Sequence, residues 1–197
     1  DAAVFKAVAG KMVPDLVAEN PGLSKVKIWS AAGSTGQEAY SIAMSMEQAK
    51  AENATFPDYE ILVTDVSERV LKKSKEGIYT QLEIQRGLPA RLLIQYYDKE
   101  KDNEWRVKEK LRNKLTFKSL NLLDAFPYLG EFDIVFCRNV LIYQSVENKA
   151  AVVEKIAKCL GNQRYLVLGA AESMLGVSNI FDQIHFENAV FYKKKKA

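Results

Sequence analysis

Short apolar runs of strand length alternate with longer amphipathic stretches along most of the chain. Val26-Lys27-Ile28-Trp29 predicts a first strand, Glu60-Ile61-Leu62-Val63-Thr64 a second that ends at Asp65, Phe132–Cys137 a third and Tyr165–Leu168 a fourth. Helices are predicted between them: Glu38 to about Ala51, Ser67 (as N-cap) through Lys75 with Gly77 closing, Leu88–Tyr97 opened by Pro89, and Glu147–Leu160 ended by Gly161. Val4, Val8, Met12 and Leu16 recur at helical spacing, interrupted by Pro14, and Asn20-Pro21-Gly22 is a stop signal. From Asp98 to Ser119 charges interleave with Trp105, Val107, Leu111, Leu115 and Phe117, which reads as a small inserted antiparallel β-subdomain. Runs around Ile184–Phe186 and Ala189–Tyr192 predict a C-terminal antiparallel hairpin. Strands alternating with helices imply an α/β fold with a mostly parallel sheet covered on both faces. Such sheets bind ligands beyond the carboxyl ends of their strands, so the chemistry is sought just after each strand.

Composition narrows the class. A length of 197 residues suits one domain, and 48% apolar with 27% charged residues is the balance of a globular protein with a core. No apolar run approaches the roughly 18 residues that span a bilayer, and no signal peptide is evident, so a cytoplasmic protein without membrane insertion is expected. Two cysteines, Cys137 and Cys159, form neither a disulfide framework nor a structural zinc site, and no metal site is expected. The single histidine, His185, has no catalytic motif around it and reads as structural or surface. A net charge of +3 is too mild to imply nucleic acid. The lysines at Lys193–Lys196 and around Lys99–Lys118 read as a solvated tail and hairpin, with steering of an acidic partner as the alternative.

Four strand ends carry candidate chemistry. After the first strand, Ala31-Ala32-Gly33-Ser34-Thr35-Gly36-Gln37-Glu38 allows close backbone approach ahead of a helix N-terminus. A glycine turn at that place can equally be tight packing. Asp65, after the second strand, can accept both hydroxyls of a ribose or can serve as a helix N-terminal charge. No lysine or arginine flanks the glycines, so a ribose without a pyrophosphate is indicated, as in S-adenosylmethionine. Asn121-Leu122 can read an adenine edge and pack its face. Arg138-Asn139 leaves a very apolar strand and is hard to justify as core. Glu172-Ser173 occupies a further mouth position, with helix capping by Ser173 as the plainer reading.

Taken in order, these pieces resemble the chemotaxis receptor glutamate methyltransferases, the CheR family, from about Val4 to Tyr192. The carrying segments are Ile28–Met44, Thr64–Ser67, Gly77-Ile78-Tyr79, Asn121–Leu123, Phe132–Tyr143, and Leu168-Gly169 followed by Glu172-Ser173. The resemblance implies a Rossmann-like class I methyltransferase sheet over residues 25–197, an insertion at about 98–119, and S-adenosylmethionine as cofactor with S-adenosylhomocysteine as product. It implies that Gly33 belongs to the cofactor-binding set and that Glu38 receives the ammonium of the cofactor's methionine portion. Asp65 would hold the ribose, Asn121 and Leu122 frame the adenine, and Cys137 and Arg138 line the pocket. Tyr143 would lie near the transferred methyl, with Arg138 and Tyr143 as catalytic residues. Residues 1–24 would be a linker helix following an N-terminal helical domain, whose arginine-bearing segment would precede Asp1. The partner implied is the cytoplasmic helical region of methyl-accepting chemotaxis receptors, met by a monomer. Gly33 and Ala39 depart harmlessly from the common family residues, while the short, glycine-free Asp98–Asn103 loop points to recognition without a receptor tether.

The implied reaction is in-line methyl transfer to a glutamate oxygen that is already ionised at neutral pH, so no general base is needed. Arg138 would orient the acceptor and Tyr143 would donate a hydrogen bond to it. A non-catalytic adenosyl-binding regulatory module of the same fold is the competing reading. A nicotinamide dehydrogenase is disfavoured, because its glycine fingerprint is missing.

Overall fold

The computed structural model describes residues 2–85, 87–127 and 129–196; Asp1 and Ala197, the outer limits of the two expected segments, lie outside them. Ten strands form: β1 Lys25–Ala31, β2 Asp58–Asp65, β3 Ile78–Thr80, β4 Tyr97–Lys99, β5 Glu104–Val107, β6 Leu115–Ser119, β7 Phe132–Cys137, β8 Leu160–Leu168, β9 Phe181–Phe186 and β10 Ala189–Lys194. Seven of them make one sheet in the order β6-β2-β1-β7-β8-β10-β9. The first five in that order run parallel, and β10 lies antiparallel to both β8 and β9. Strands β3, β5 and β4 form a separate antiparallel sheet.

Side-chain alternation explains why the central strands read as continuous apolar runs. Ile134 and Phe136 enter one core with Ile28, Ile61, Val63 and Tyr40. Val135 and Cys137 enter the other with Trp29, Ala31, Leu166 and Leu168. Both faces of the sheet are therefore buried, and polar groups concentrate at its ends. The registers Ala31 opposite Thr64 and Cys137 opposite Leu168 bring four strand ends into one row.

The helices are α1 Ala2–Ala7, a π-helical segment Val8–Met12, α2 Val13–Glu19, α3 Gln37–Glu52, α4 Glu68–Glu76, α5 Gln81–Gln85, α6 Ala90–Tyr96, α7 Glu109–Arg112 and α8 Val146–Lys158. Pro14 does not interrupt the first helical stretch as expected. It sits in the first turn of α2, where its missing N–H is tolerated, and the ladder widens to π spacing just before it.

Three further expectations shift. The small sheet draws on β3, outside 98–119, while β6 belongs to the main sheet, pairing Ile61 with Leu115 and Asp65 with Ser119. Leu111 and Leu115 are buried in the main core; the interleaved charges there mark an edge strand. Gly161 does not end α8, which stops at Lys158; it lies inside β8, where an added Cβ would stand 2.3 Å from Glu131 Oε1. The lysine tail is not simply solvated. Lys193 pairs with Glu19 at 2.6 Å, and the Lys194 ammonium donates to the Ala157 and Leu160 carbonyls.

Candidate functional site at the carboxyl ends of the strands

The loop after β1 is held by its own geometry. Gly33 N donates to the Thr64 carbonyl at 2.8 Å, and a Cβ on Gly33 would stand 2.6 Å from Val63 and 2.9 Å from Ser30 Oγ. Gly36 has φ +89°, and a Cβ there would fall 2.0 Å from Ser74 Oγ. Ala32 and Ser34 also take left-handed backbone, at φ 57° and 49°. Non-glycine residues in that region cost on the order of 1 kcal/mol each, a strain typical of ligand-binding turns. The Tyr79 hydroxyl donates to the Thr35 carbonyl at 2.6 Å, so the small sheet braces this loop from outside.

Two carboxylates face this loop. Asp65 Oδ2 accepts from Ser34 N at 3.0 Å and Oδ1 accepts from Ser67 N at 2.9 Å. Ser67 has the extended backbone of an N-cap, but its side chain makes no capping bond; the Asp65 carboxylate instead holds the N–H of Ser67 itself, in a turn just ahead of α4. Glu38, in the first turn of α3, accepts from Ser30 Oγ at 3.0 Å and from Arg138 Nη1 at 3.1 Å. Burial raises the proton affinity of Glu38 above the ordinary glutamate value, and Arg138 and Ser30 only partly offset it. The side chains of Arg138 and Glu38 are 6% and 20% exposed. The Arg138 guanidinium also lies 5.9 Å from the Phe5 ring, which ties α1 to the site.

The remaining expected residues separate. Leu120 N donates to the Asp65 carbonyl, placing Asn121 and Leu122 just past Asp65 on the neighbouring strand end. Asn121 Oδ1 accepts from Leu123 N at 3.0 Å, and Leu122 is buried, its carbonyl held by Lys155. Cys137 is fully buried in the core on the α8 side, and burial, with Glu172 and Glu38 nearby, pushes its thiol up. Tyr143 ends a single 3-10 turn, Leu141–Tyr143, and is 80% exposed. So Gly33, Glu38, Asp65 and Arg138 converge; Asn121 and Leu122 border them; Tyr143 stands apart on the open side.

One contributor was not singled out in the sequence. Ser30 is a fully buried hydroxyl inside an apolar strand, and it donates to Glu38. Its only signal was a polar residue in an otherwise apolar run. Glu172 is occupied by backbone: Gly169 N and Asn139 N donate to one oxygen at 2.6 and 2.8 Å, Val140 N and Ile142 N to the other at 2.9 and 3.1 Å. Ser173 Oγ accepts a local bond from Leu175 N at 3.1 Å. His185 stands on the C-terminal hairpin beside Gln183, away from the strand-end row. Among the described residues no group of His, Cys, Asp or Glu suits a metal ion, and no helix is long and apolar enough to cross a membrane.

The donor set fits an S-adenosyl ligand. An anion at Glu38 suits an ammonium, a diol acceptor at Asp65 suits a ribose, and the glycine loop carries no cation to hold a phosphate. Comparison with known proteins agrees. The chain is 37% identical to the chemotaxis protein methyltransferase Cher2 of Pseudomonas putida, covering 97% of this chain and 70% of that one. It is 36% identical to a chemotaxis protein methyltransferase of Vibrio parahaemolyticus, covering 97% and 69%. A TehB-like SAM-dependent methyltransferase from Corynebacterium glutamicum shares the fold at TM-score 0.53 and 12% identity, over 98% of this chain and 88% of that one. Residues 1–190 match the family described as CheR methyltransferase, SAM binding domain, and the chain belongs to that family.

Proposed function

We propose that this protein transfers the methyl group of S-adenosylmethionine to glutamate side chains in the cytoplasmic helical region of chemotaxis receptors. The supporting observation is the pair of carboxylates flanking the loop after β1, Asp65 at the end of β2 and Glu38 in the first turn of α3, each with acceptor capacity left for a ligand. An ionised carboxylate offers about four lone-pair sites. Asp65 uses two of them, one on each oxygen, and Glu38 uses one on each oxygen for Ser30 and Arg138.

When bound, S-adenosylmethionine supplies a methyl group on a positively charged sulfur. Asp65 accepts from the ribose hydroxyls while the Ser34 and Ser67 amides hold it in place. Glu38 receives the ammonium, and Arg138 keeps it aligned; with its guanidinium committed there, Arg138 serves the cofactor side before any acceptor. Leu122 and Asn121 border the base. Tyr143 supplies an exposed hydroxyl; its neighbour Ile142, with Val146 and Leu175, exposes apolar surface around a cleft of about 350 Å³ that Tyr143 itself does not line. No side chain has to remove a proton, because a glutamate acceptor is ionised at neutral pH. The protein's contribution is then positioning and exclusion of water.

The test uses methyl-labelled S-adenosylmethionine with receptor-bearing membranes. The expected result is base-labile label in the receptor, mapped to glutamates. Tight S-adenosylhomocysteine binding without any transfer would instead leave an adenosyl-binding module, and label on other residues would overturn the acceptor assignment.

A further inference from the structure

The geometry points to Glu172 as a positioning residue for methyl transfer: its carboxylate fixes the loop that presents Tyr143. The inference rests on the proposed place of Tyr143 beside the acceptor. Tyr143 cannot hold itself there. It is 80% exposed, its hydroxyl makes no hydrogen bond among the described residues, and its amide has only a 3.3 Å bond to the Val140 carbonyl. The segment before it leaves β7 with Asn139 in left-handed backbone at φ 60°.

Three of the four N–H groups received by Glu172 come from that segment, Asn139, Val140 and Ile142, and the fourth from Gly169 at the end of β8. One carboxylate thus joins two neighbouring strand ends, Cys137 opposite Leu168, and sets the path of the chain into Tyr143. Two bonds on each oxygen fill its acceptor capacity, so Glu172 is not itself a ligand for the cofactor. Gly169 completes the arrangement, since a Cβ there would lie 2.8 Å from Glu172 Oε2 and 3.0 Å from Asn139 N.

Glu172→Gln tests this in the full-length protein. Whichever way the amide turns, its NH2 faces two N–H donors, and the loop must shift. A displacement of about 1 Å is expected to lower kcat about 100-fold. The Kd for S-adenosylhomocysteine should change less than about threefold, because Glu38 and Asp65 are untouched. In a Tyr143→Phe background the same substitution should cost less than about fivefold, since both changes act through one hydroxyl. Gly169→Ala, which keeps the carboxylate but crowds it, should lower kcat in the same direction, and it takes over the cycle if Glu172→Gln does not fold.

Parallel losses in kcat and cofactor affinity would make Glu172 a scaffold residue only, and an undiminished cost in the Tyr143→Phe background would overturn the link to Tyr143. If Tyr143→Phe lowers turnover but Glu172→Gln does not, the positioning role alone fails. If Tyr143→Phe changes nothing, the proposed place of Tyr143 fails and this inference fails with it.

Discussion

The two halves of the strand-end row use the same chemical group in opposite ways. On the β1–β2 side, Asp65 takes two backbone amides and Glu38 takes a serine and an arginine, so both keep acceptor sites open. On the β7–β8 side, Glu172 takes four amides and keeps none. A carboxylate at a loop mouth is thus not informative by itself; the number of donors already satisfied separates a ligand-holding group from a loop-holding one. The half with open acceptors suits a polar, cationic cofactor. The half with the saturated carboxylate leaves Tyr143 and apolar surface facing outward, where the proposed acceptor would dock.

The sharpest way to break that comparison is Asp65→Ala. The change removes the proposed ribose acceptors and releases the Ser34 and Ser67 amides, so S-adenosylhomocysteine binding should weaken about 100-fold or more, at about 1.5–3 kcal/mol per charge-assisted hydrogen bond. Calorimetry with a parallel melting curve checks it. A folded variant that binds as tightly as the parent would remove Asp65 from the site and leave it a turn-holding residue ahead of α4.

Glu38→Gln should have a smaller effect, about tenfold, because the amide still accepts one bond while the charge facing the proposed ammonium is lost. Its pH behaviour is more diagnostic. Burial raises the proton affinity of Glu38 in the folded protein. The anion proposed to hold the ammonium is therefore lost, as pH falls, above the ordinary glutamate pKa of about 4.3. Its burial penalty acts on the charged form, so acidification through this window relieves a destabilisation of the free protein while weakening cofactor binding. Affinity measured between neutral and mildly acidic pH should drop for the parent and stay level for Glu38→Gln. Parallel curves would contradict the assignment.

The β1–β2 half was far more legible in the sequence than the β7–β8 half. Gly33, Glu38 and Asp65 sit within a few residues of strong apolar strands, so strand-end logic alone reaches them. Glu172 acts through backbone amides of residues some thirty positions earlier, and nothing local marks a glutamate for that role. Arg138 stood out as polar at the end of an apolar strand, but its pairing with Glu38 spans 100 positions and only the sheet order brings them together. The fold shows the same division. Two-faced burial made the parallel strands obvious, whereas β6, an edge strand with the exposed Lys118, reads as part of the insertion and is placed in the main sheet only by its pairing with β2. Pattern reading captures burial well; it does not see which loop a saturated carboxylate will tie.

The smallest effect should come from the other end of β2. Asp58 has two lysine partners, Lys50 and Lys114, each at 2.7 Å, and no place in the strand-end row. Burial pushes its proton affinity up, but the hydrogen bonds from Lys114 and Lys50 outweigh it and hold the carboxyl well below the usual aspartate range. A depressed carboxylate contributes stability that is present above the unfolded pKa of about 3.9 and is lost as pH falls through the folded value. The side chain is 39% exposed, so solvent screening limits that contribution to about 0.5 kcal/mol. Asp58→Asn should therefore lower stability slightly at neutral pH, narrow the gap to the parent in strong acid, and leave S-adenosylhomocysteine binding unchanged. A change in binding would mean that charge pairs far from the strand ends reach the site through β2, and the division into ligand-holding and structure-holding carboxylates would have to be redrawn along the strand.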